Sequence, residues 1–183
     1  MGRCRRPALA WISRPALIGP ICWRCRCQPR PARQGEARRR GLRVDATLGA
    51  APATGDRRLA ESLVANLVDN ALRHNVADGR VEVVTRADGG QAVISVRNTG
   101  QPVSAGEVDR LFQPFQRLGS ERIRHAGGRG LGLAIVRAIA DAHGATLTAR
   151  ARPEGGLDVE VSFPDRPGLA LPVPSCASSQ CWA

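Results

Sequence analysis

Asn66, Asn70 and Arg73 stand at i, i+4 and i+7, so a helix carries all three on one ridge. Two carboxamide oxygens on one stripe suit a hard cation such as Mg²⁺, which keeps waters and takes oxygens from a bound phosphate. Arg73 adds a planar fork of donors for phosphate. Alone, such a ridge is more often a solvated helix face. A second cluster reads Gly127-Gly128-Arg129-Gly130-Leu131-Gly132-Leu133. Glycines let backbone approach a ligand closely, and unpaired N–H groups at a helix start point at an anion. Alone, this is also a flexible hinge. No strand precedes it, so it is not a Rossmann fingerprint, and a chain without Lys has no Walker lysine. The third cluster, Asn98-Thr99-Gly100, puts a carboxamide and a Gly turn at the end of a strand, where an ordinary Asx turn also fits.

The elements that must position these residues follow from periodicity. Residues 41–47 alternate apolar and polar, as a short strand does. Residues 56–75 form a helix, with Leu59, Leu63, Leu67 and Ala71 as a core-facing ridge, Val64, Val68 and Leu72 beside it, and Asp56 or Gly55 as cap. Residues 80–86 and 91–97 alternate at period two across Ala-Asp-Gly-Gly and predict a hairpin. Residues 104–112 predict a short helix with a capping box, Ser104 and Glu107. A polar, Gly-rich loop over 119–130 leads to a helix over 130–143, stopped by Gly144. Residues 145–151 and 157–163 predict a second hairpin across Pro-Glu-Gly-Gly. The order β-α-β-β-α-α-β-β predicts an α+β two-layer sandwich, a mixed and mostly antiparallel sheet with helices on one face.

In chain order the sequence thus presents N-x-x-x-N on a helix, N-T-G after a strand, L-F-Q-P-F-Q-R, and G-x-G-L-G-L-A-I-V opening a helix. This set resembles the ATP-binding catalytic domain of sensor histidine kinases, within the GHKL superfamily of Bergerat-fold ATPases, and among them the actinobacterial two-component kinases. The resemblance spans residues 42–164. It implies ATP and Mg²⁺ as cofactors and a protein-histidine kinase as the enzyme. It implies that Asn70 binds Mg²⁺ with Asn66 supporting it, that Arg73 contacts the phosphates, and that the Asn98–Gly100 turn holds the adenine. Leu111–Phe115 resembles the family's F box, with Phe112 and Phe115 under an ATP lid over 116–127. Gly128, Gly130, Leu131 and Gly132 match the phosphate-binding G2 box. Three departures bear on nucleotide affinity. Asn98 stands where the family's G1 box carries Asp, so it accepts a hydrogen bond without charge. Pro102 replaces the second Gly and stiffens the turn, and Leu157 stands where the family often has Thr.

Such a kinase needs a phosphoacceptor His on an upstream helix. His74, His125 and His143 are the three histidines, and none has that context. His143 instead reads as closing a helix C-terminus, where a cation is favoured. The expected acceptor is therefore a His of another chain, the further partner is a response regulator, and the expected location is the cytoplasm. A stand-alone GHKL serine kinase or anti-sigma-type switch, and an inactive remnant with a basic tail, are the competing readings.

The charge confines these expectations to part of the chain. Of 183 residues, 27 are Arg and 16 acidic, a net +11 that by itself suggests nucleic acid or an anionic membrane. Residues 1–41 hold eleven Arg and one acid, Glu36, so eleven minus one places +10 there. The other 142 residues, with 16 Arg against 15 acids, are near neutral. No specific nucleic-acid partner is expected. Residues 1–41 and 166–183 carry no periodicity and predict disordered segments flanking a catalytic domain at 42–165. All six Cys lie outside 42–165, and Cys22, Cys25 and Cys27 with Cys4 lack the paired spacing of a zinc site. The Arg, Cys, Pro and Trp mixture of 1–41 resembles out-of-frame translation, so a truncated or frameshifted gene product is expected. No stretch has the length of a membrane-spanning helix.

Overall fold

The computed structural model describes residues 31–115 and 130–164. In chain order these form α1 (Pro31–Arg39), β1 (Arg43–Leu48), α2 (Arg57–Arg73), β2 (Arg80–Asp88) and β3 (Gln91–Asn98). Two 3₁₀ turns, Ala105–Glu107 and Asp109–Phe112, precede α3 (Gly132–Ala142), β4 (Thr146–Ala151) and β5 (Leu157–Phe163). The sheet runs β1-β2-β3-β5-β4. β1 and β2 are parallel and every other neighbouring pair is antiparallel. The expected α+β two-layer architecture is present, with α2 and α3 packed on each other and on the sheet.

The alternation in the strands sets both faces. Val81, Val83 and Thr85 of β2 and Leu157, Val159, Val161 and Phe163 of β5 point inward and are buried. They meet Leu63, Val64, Leu67, Val68, Ala71 and Leu72 of α2 and Val136, Ile139 and Ala140 of α3. Each fully buried Leu or Val contributes about 2 kcal/mol of transfer free energy. The outward residues pair charge with charge. Arg97 lies 3.0 Å from Asp158 and 3.8 Å from Glu82 on its two neighbouring strands. Arg86 reaches Glu160 at 3.1 Å and Arg80 reaches Asp45 at 2.7 Å. Such half-exposed pairs contribute little stability. A slip of one residue would turn all of them into the core, so they oppose a wrong register.

Both long helices end as the local chemistry dictates. The Asp56 carboxylate caps α2, accepting the Arg58 and Leu59 N–H groups at 2.8 and 3.2 Å. Gly144, at φ 62°, ends α3 in a Schellman turn, with Ala145 N–H donating to Ala140 O and Gly144 N–H to Asp141 O.

Several expectations are corrected. Pro31–Arg39 is helical, although 1–41 was expected to lack regular structure. It closes in the same Schellman geometry, with Gly41 at φ 66°, Leu42 N–H on Ala37 O and Gly41 N–H on Arg38 O. It has no apolar stripe for periodicity to reveal, and Ala37 is buried. β1 accordingly starts at Arg43 rather than at 41. The capping box at Ser104 does not form, because the Ser104 backbone oxygen takes the Glu107 N–H at 2.9 Å, and two 3₁₀ turns replace the helix. Leu59 overhangs the first turn of α2 and is 41% exposed, so the core ridge starts at Leu63. α3 starts at Gly132, not at 130. His143 is the C-cap residue of α3, as expected, and its ring is also tied to α2, its Nε2 accepting the Asp56 N–H at 2.9 Å while its Nδ1 lies 2.8 Å from Ile139 O.

Candidate functional site

α2 works as a ruler. Asn66 and Asn70 sit in its half-buried middle, one turn apart on the same ridge, with Arg73 at its end. The Asn66 amide donates to its own helix, to Ser62 O at 2.7 Å. Its Oδ1 is thereby left as an acceptor, and it faces the first residue of α3: a methyl group on Gly132 would stand 3.6 Å from it. α3 has Leu131 at its N-cap, without a capping side chain. Its first N–H groups therefore lack the side-chain acceptor that usually satisfies them. Asn70, one turn further along α2, is half-buried. The middle of α2 and the start of α3 together offer carboxamide oxygens beside backbone donors.

The other end of the ruler is built from close backbone contacts. Asn98 ends β3, is 4% exposed, and its Nδ2 donates to Thr99 O at 2.7 Å, which leaves Oδ1 as its acceptor. Gly100 packs against the C-terminus of α2, where a methyl group would come within 2.7 Å of His74 O. On its other side lies the β4–β5 turn. Gly156, at φ 91°, occupies a position where any Cβ would strike the Asn98 carbonyl oxygen, and its N–H donates to Gln101 O at 3.1 Å. From Asn66 to His74 the helix rises about 12 Å, which separates the two ends of the site.

A buried polar knot holds this end. Asn75 Nδ2 donates to Ala71 O at 3.2 Å and Arg80 O at 3.1 Å. Its Oδ1 accepts the Thr99 hydroxyl at 2.6 Å, and that hydroxyl accepts the Arg80 N–H at 2.8 Å. Sequence reasoning did not single out Asn75, or Thr99 as more than a turn residue. The available signal was polar side chains at the ends of two elements that must meet.

The F-box residues divide. Phe112 is buried at 2% under the Arg137 guanidinium, 5.2 Å from its ring centroid, and Arg137 also reaches Asp109 at 3.7 Å. It packs a 3₁₀ turn onto α3. Phe115 is 74% exposed at φ 62° and is not packed as expected. Its N–H donates to Gly130 O at 3.1 Å, so residues 115 and 130 meet. The expected lid over 116–127, Gly128 and His125 lie outside the described residues, as do the cysteines. In the β4–β5 turn, a hydrogen bond from Arg152 holds the Glu154 carboxyl below the usual carboxylate range. Among the described residues no group of three His, Cys, Asp or Glu offers a metal site, and no helix is long and apolar enough to cross a membrane.

A five-stranded mixed sheet under two helices, with an Asn ridge facing a glycine-opened helix, defines an ATPase domain of the GHKL class. The family model described as "Histidine kinase-, DNA gyrase B-, and HSP90-like ATPase" matches residues 55–167, and the chain belongs to that family. Within it, the similarity is to sensor histidine kinases. Sensor protein CutS of Streptomyces coelicolor is 48% identical over 130 residues, which cover 70% of this chain and 31% of CutS. The chain thus spans about a third of that relative. The mycobacterial sensor histidine kinase MprB superposes with TM-score 0.60 at 28% identity, covering 74% of this chain and 90% of that one. The catalytic domain of histidine kinase ThkA, TM-score 0.61 at 23% identity over 72% and 84% of the chains, shares the fold.

Proposed function

We propose that this domain binds Mg·ATP and presents its γ-phosphate to a histidine carried by another chain or segment, as the catalytic domain of a two-component kinase. The observation that carries this is the meeting of the Asn66 oxygen with Gly132 at the uncapped start of α3. Carboxamide oxygens suit Mg²⁺, and backbone N–H groups at a helix start suit phosphate. On this reading Asn70 is the metal ligand and Asn66 its support. Arg73, Gly130, Leu131 and Gly132, with Gly128, hold the phosphates, and Asn98 and Gly100 hold the adenine. Mg²⁺ when bound would neutralise charge on the phosphate oxygens. The chain's own part is to orient the nucleotide along α2. Its partners are ATP, the chain bearing the phosphoacceptor His, and a response regulator; its place is the cytoplasm.

Titration with a fluorescent ATP analogue, with and without Mg²⁺, tests the binding. Saturable, Mg²⁺-dependent binding is expected, and its absence overturns the proposal. Adding the dimerisation helix of a related kinase in trans should then give acid-labile phosphate on that helix. Acid-stable phosphate on a serine would instead support the stand-alone serine kinase.

A further inference from the structure

Arg40 lies in the segment for which no structure was expected, and it reaches into the far end of the site. Its guanidinium donates to Leu72 O at 3.0 Å, to Arg73 O at 3.3 Å and to Asn75 O. These are carbonyls at the C-terminus of α2, where acceptors lack helical partners and the dipole is negative. Glu36 of α1 stands 4.0 Å from the same guanidinium, and the Arg40 backbone oxygen accepts the Asp78 N–H at 2.9 Å.

We propose that Arg40 is a positioning residue for the nucleobase, acting through Asn75 and Thr99 on Asn98. This rests on the reading of the Asn98–Gly100 turn as the adenine end. The relay is continuous. Arg40 fixes the Asn75 backbone oxygen, and the Asn75 side chain holds the Thr99 hydroxyl. The Thr99 carbonyl takes the Asn98 Nδ2–H and so aims Asn98 Oδ1 as an acceptor. The same carbonyl end of α2 touches Gly100 through His74 O. A shift of residues 74–75 therefore moves the acceptor that would read an exocyclic amine. Arg40 meets Arg73 at its backbone oxygen, and Asn66, which faces Gly132, lies about two turns away along α2, outside its reach. A lysine cannot replace the fork, because its compact ammonium does not span three carbonyls in fixed directions.

The test compares Mg·ATP with Mg·purine riboside triphosphate, which lacks the 6-amino group, on the full chain and on R40Q and R40K. Folding of each variant is checked by circular dichroism. The wild type should prefer ATP by roughly fivefold, the contribution of one hydrogen bond. R40Q should lose that preference while binding the purine analogue as the wild type does, and R40K should be intermediate. If R40Q is unfolded, the ratio is read on R40K. Equal weakening of both nucleotides, or an unchanged preference, overturns the role of Arg40. A wild type that binds neither nucleotide overturns the Mg·ATP reading itself, and the Arg40 role with it. One that binds both equally overturns the assignment of Asn98 and hence the relay.

Discussion

The Asp56 backbone N–H donates to His143 Nε2 at 2.9 Å, tying the first turn of α2 to the last turn of α3. The ring is fixed on its other sides by Ile139 O at 2.8 Å and by an edge-on contact with Phe163, 5.7 Å between centroids. H143A removes an acceptor and a ring contact together, and should lower the unfolding free energy by about 2 kcal/mol. Denaturant unfolding checks this; an unchanged midpoint would show the tie to be idle. Nucleotide affinity should change little, because Gly132, which Asn66 of α2 faces, lies at the opposite end of α3 from His143.

Asn70 has a half-buried carboxamide on the ridge facing the glycine-opened helix. N70A should weaken Mg·ATP binding by about tenfold or more, equivalent to about 1.4 kcal/mol, with thermal stability retained. Metal-free nucleotide should bind both forms alike. Equal Mg²⁺-dependence in the two proteins refutes the ligand assignment.

Gly156 combines φ 91° with a backbone neighbour where a Cβ would be. G156A should destabilise the domain by about 2–3 kcal/mol, since the strain and the collision with the Asn98 carbonyl both act. The surviving folded protein should bind ATP less well, because the displaced atom belongs to the base end. Thermal unfolding followed by titration separates the two effects.

Glu154 is fully exposed and hydrogen-bonded by Arg152, which lowers its pKa. A lowered carboxylate favours the folded turn above the unfolded pKa, and this favour is lost as pH falls through the folded pKa. The Glu154 side-chain resonance should therefore titrate below the usual carboxylate range in wild type and return upward in R152Q. Solvent screening makes any change in global stability too small to resolve. Identical midpoints in the two proteins would dismiss the pairing.

What was legible beforehand was what repeats at short range. The stripe from Leu63 to Leu72 gives α2 its inner face, and the alternation of β2 and β5 gives those strands theirs, whereas β3 is buried on both faces from Ala92 to Val96. Gly144 was readable as a helix stop because an apolar period runs into it. Gly41 does the same for α1, but no such period precedes it, and the glycine was assigned to the next strand. α1 is held by what Arg40 meets more than thirty residues away, and no local pattern encodes that. The Asn ridge and the N-T-G turn were visible as residue types at spacings. The knot of Asn75 with Thr99 was not, because it exists only once α2 and β3 end side by side. The capping box failed because a backbone oxygen of the same residue competes for the donor that the Ser104 hydroxyl was expected to take.

The bond from Phe115 N–H to Gly130 O has an entropic consequence. It joins the residues on either side of 116–129, so the chain leaves the described part of the domain and re-enters it at one place. Closure cost rises slowly with length, about 0.6 kcal/mol per doubling. Lengthening the chain between Phe115 and Gly130 would therefore add little to the closure entropy that the domain already bears.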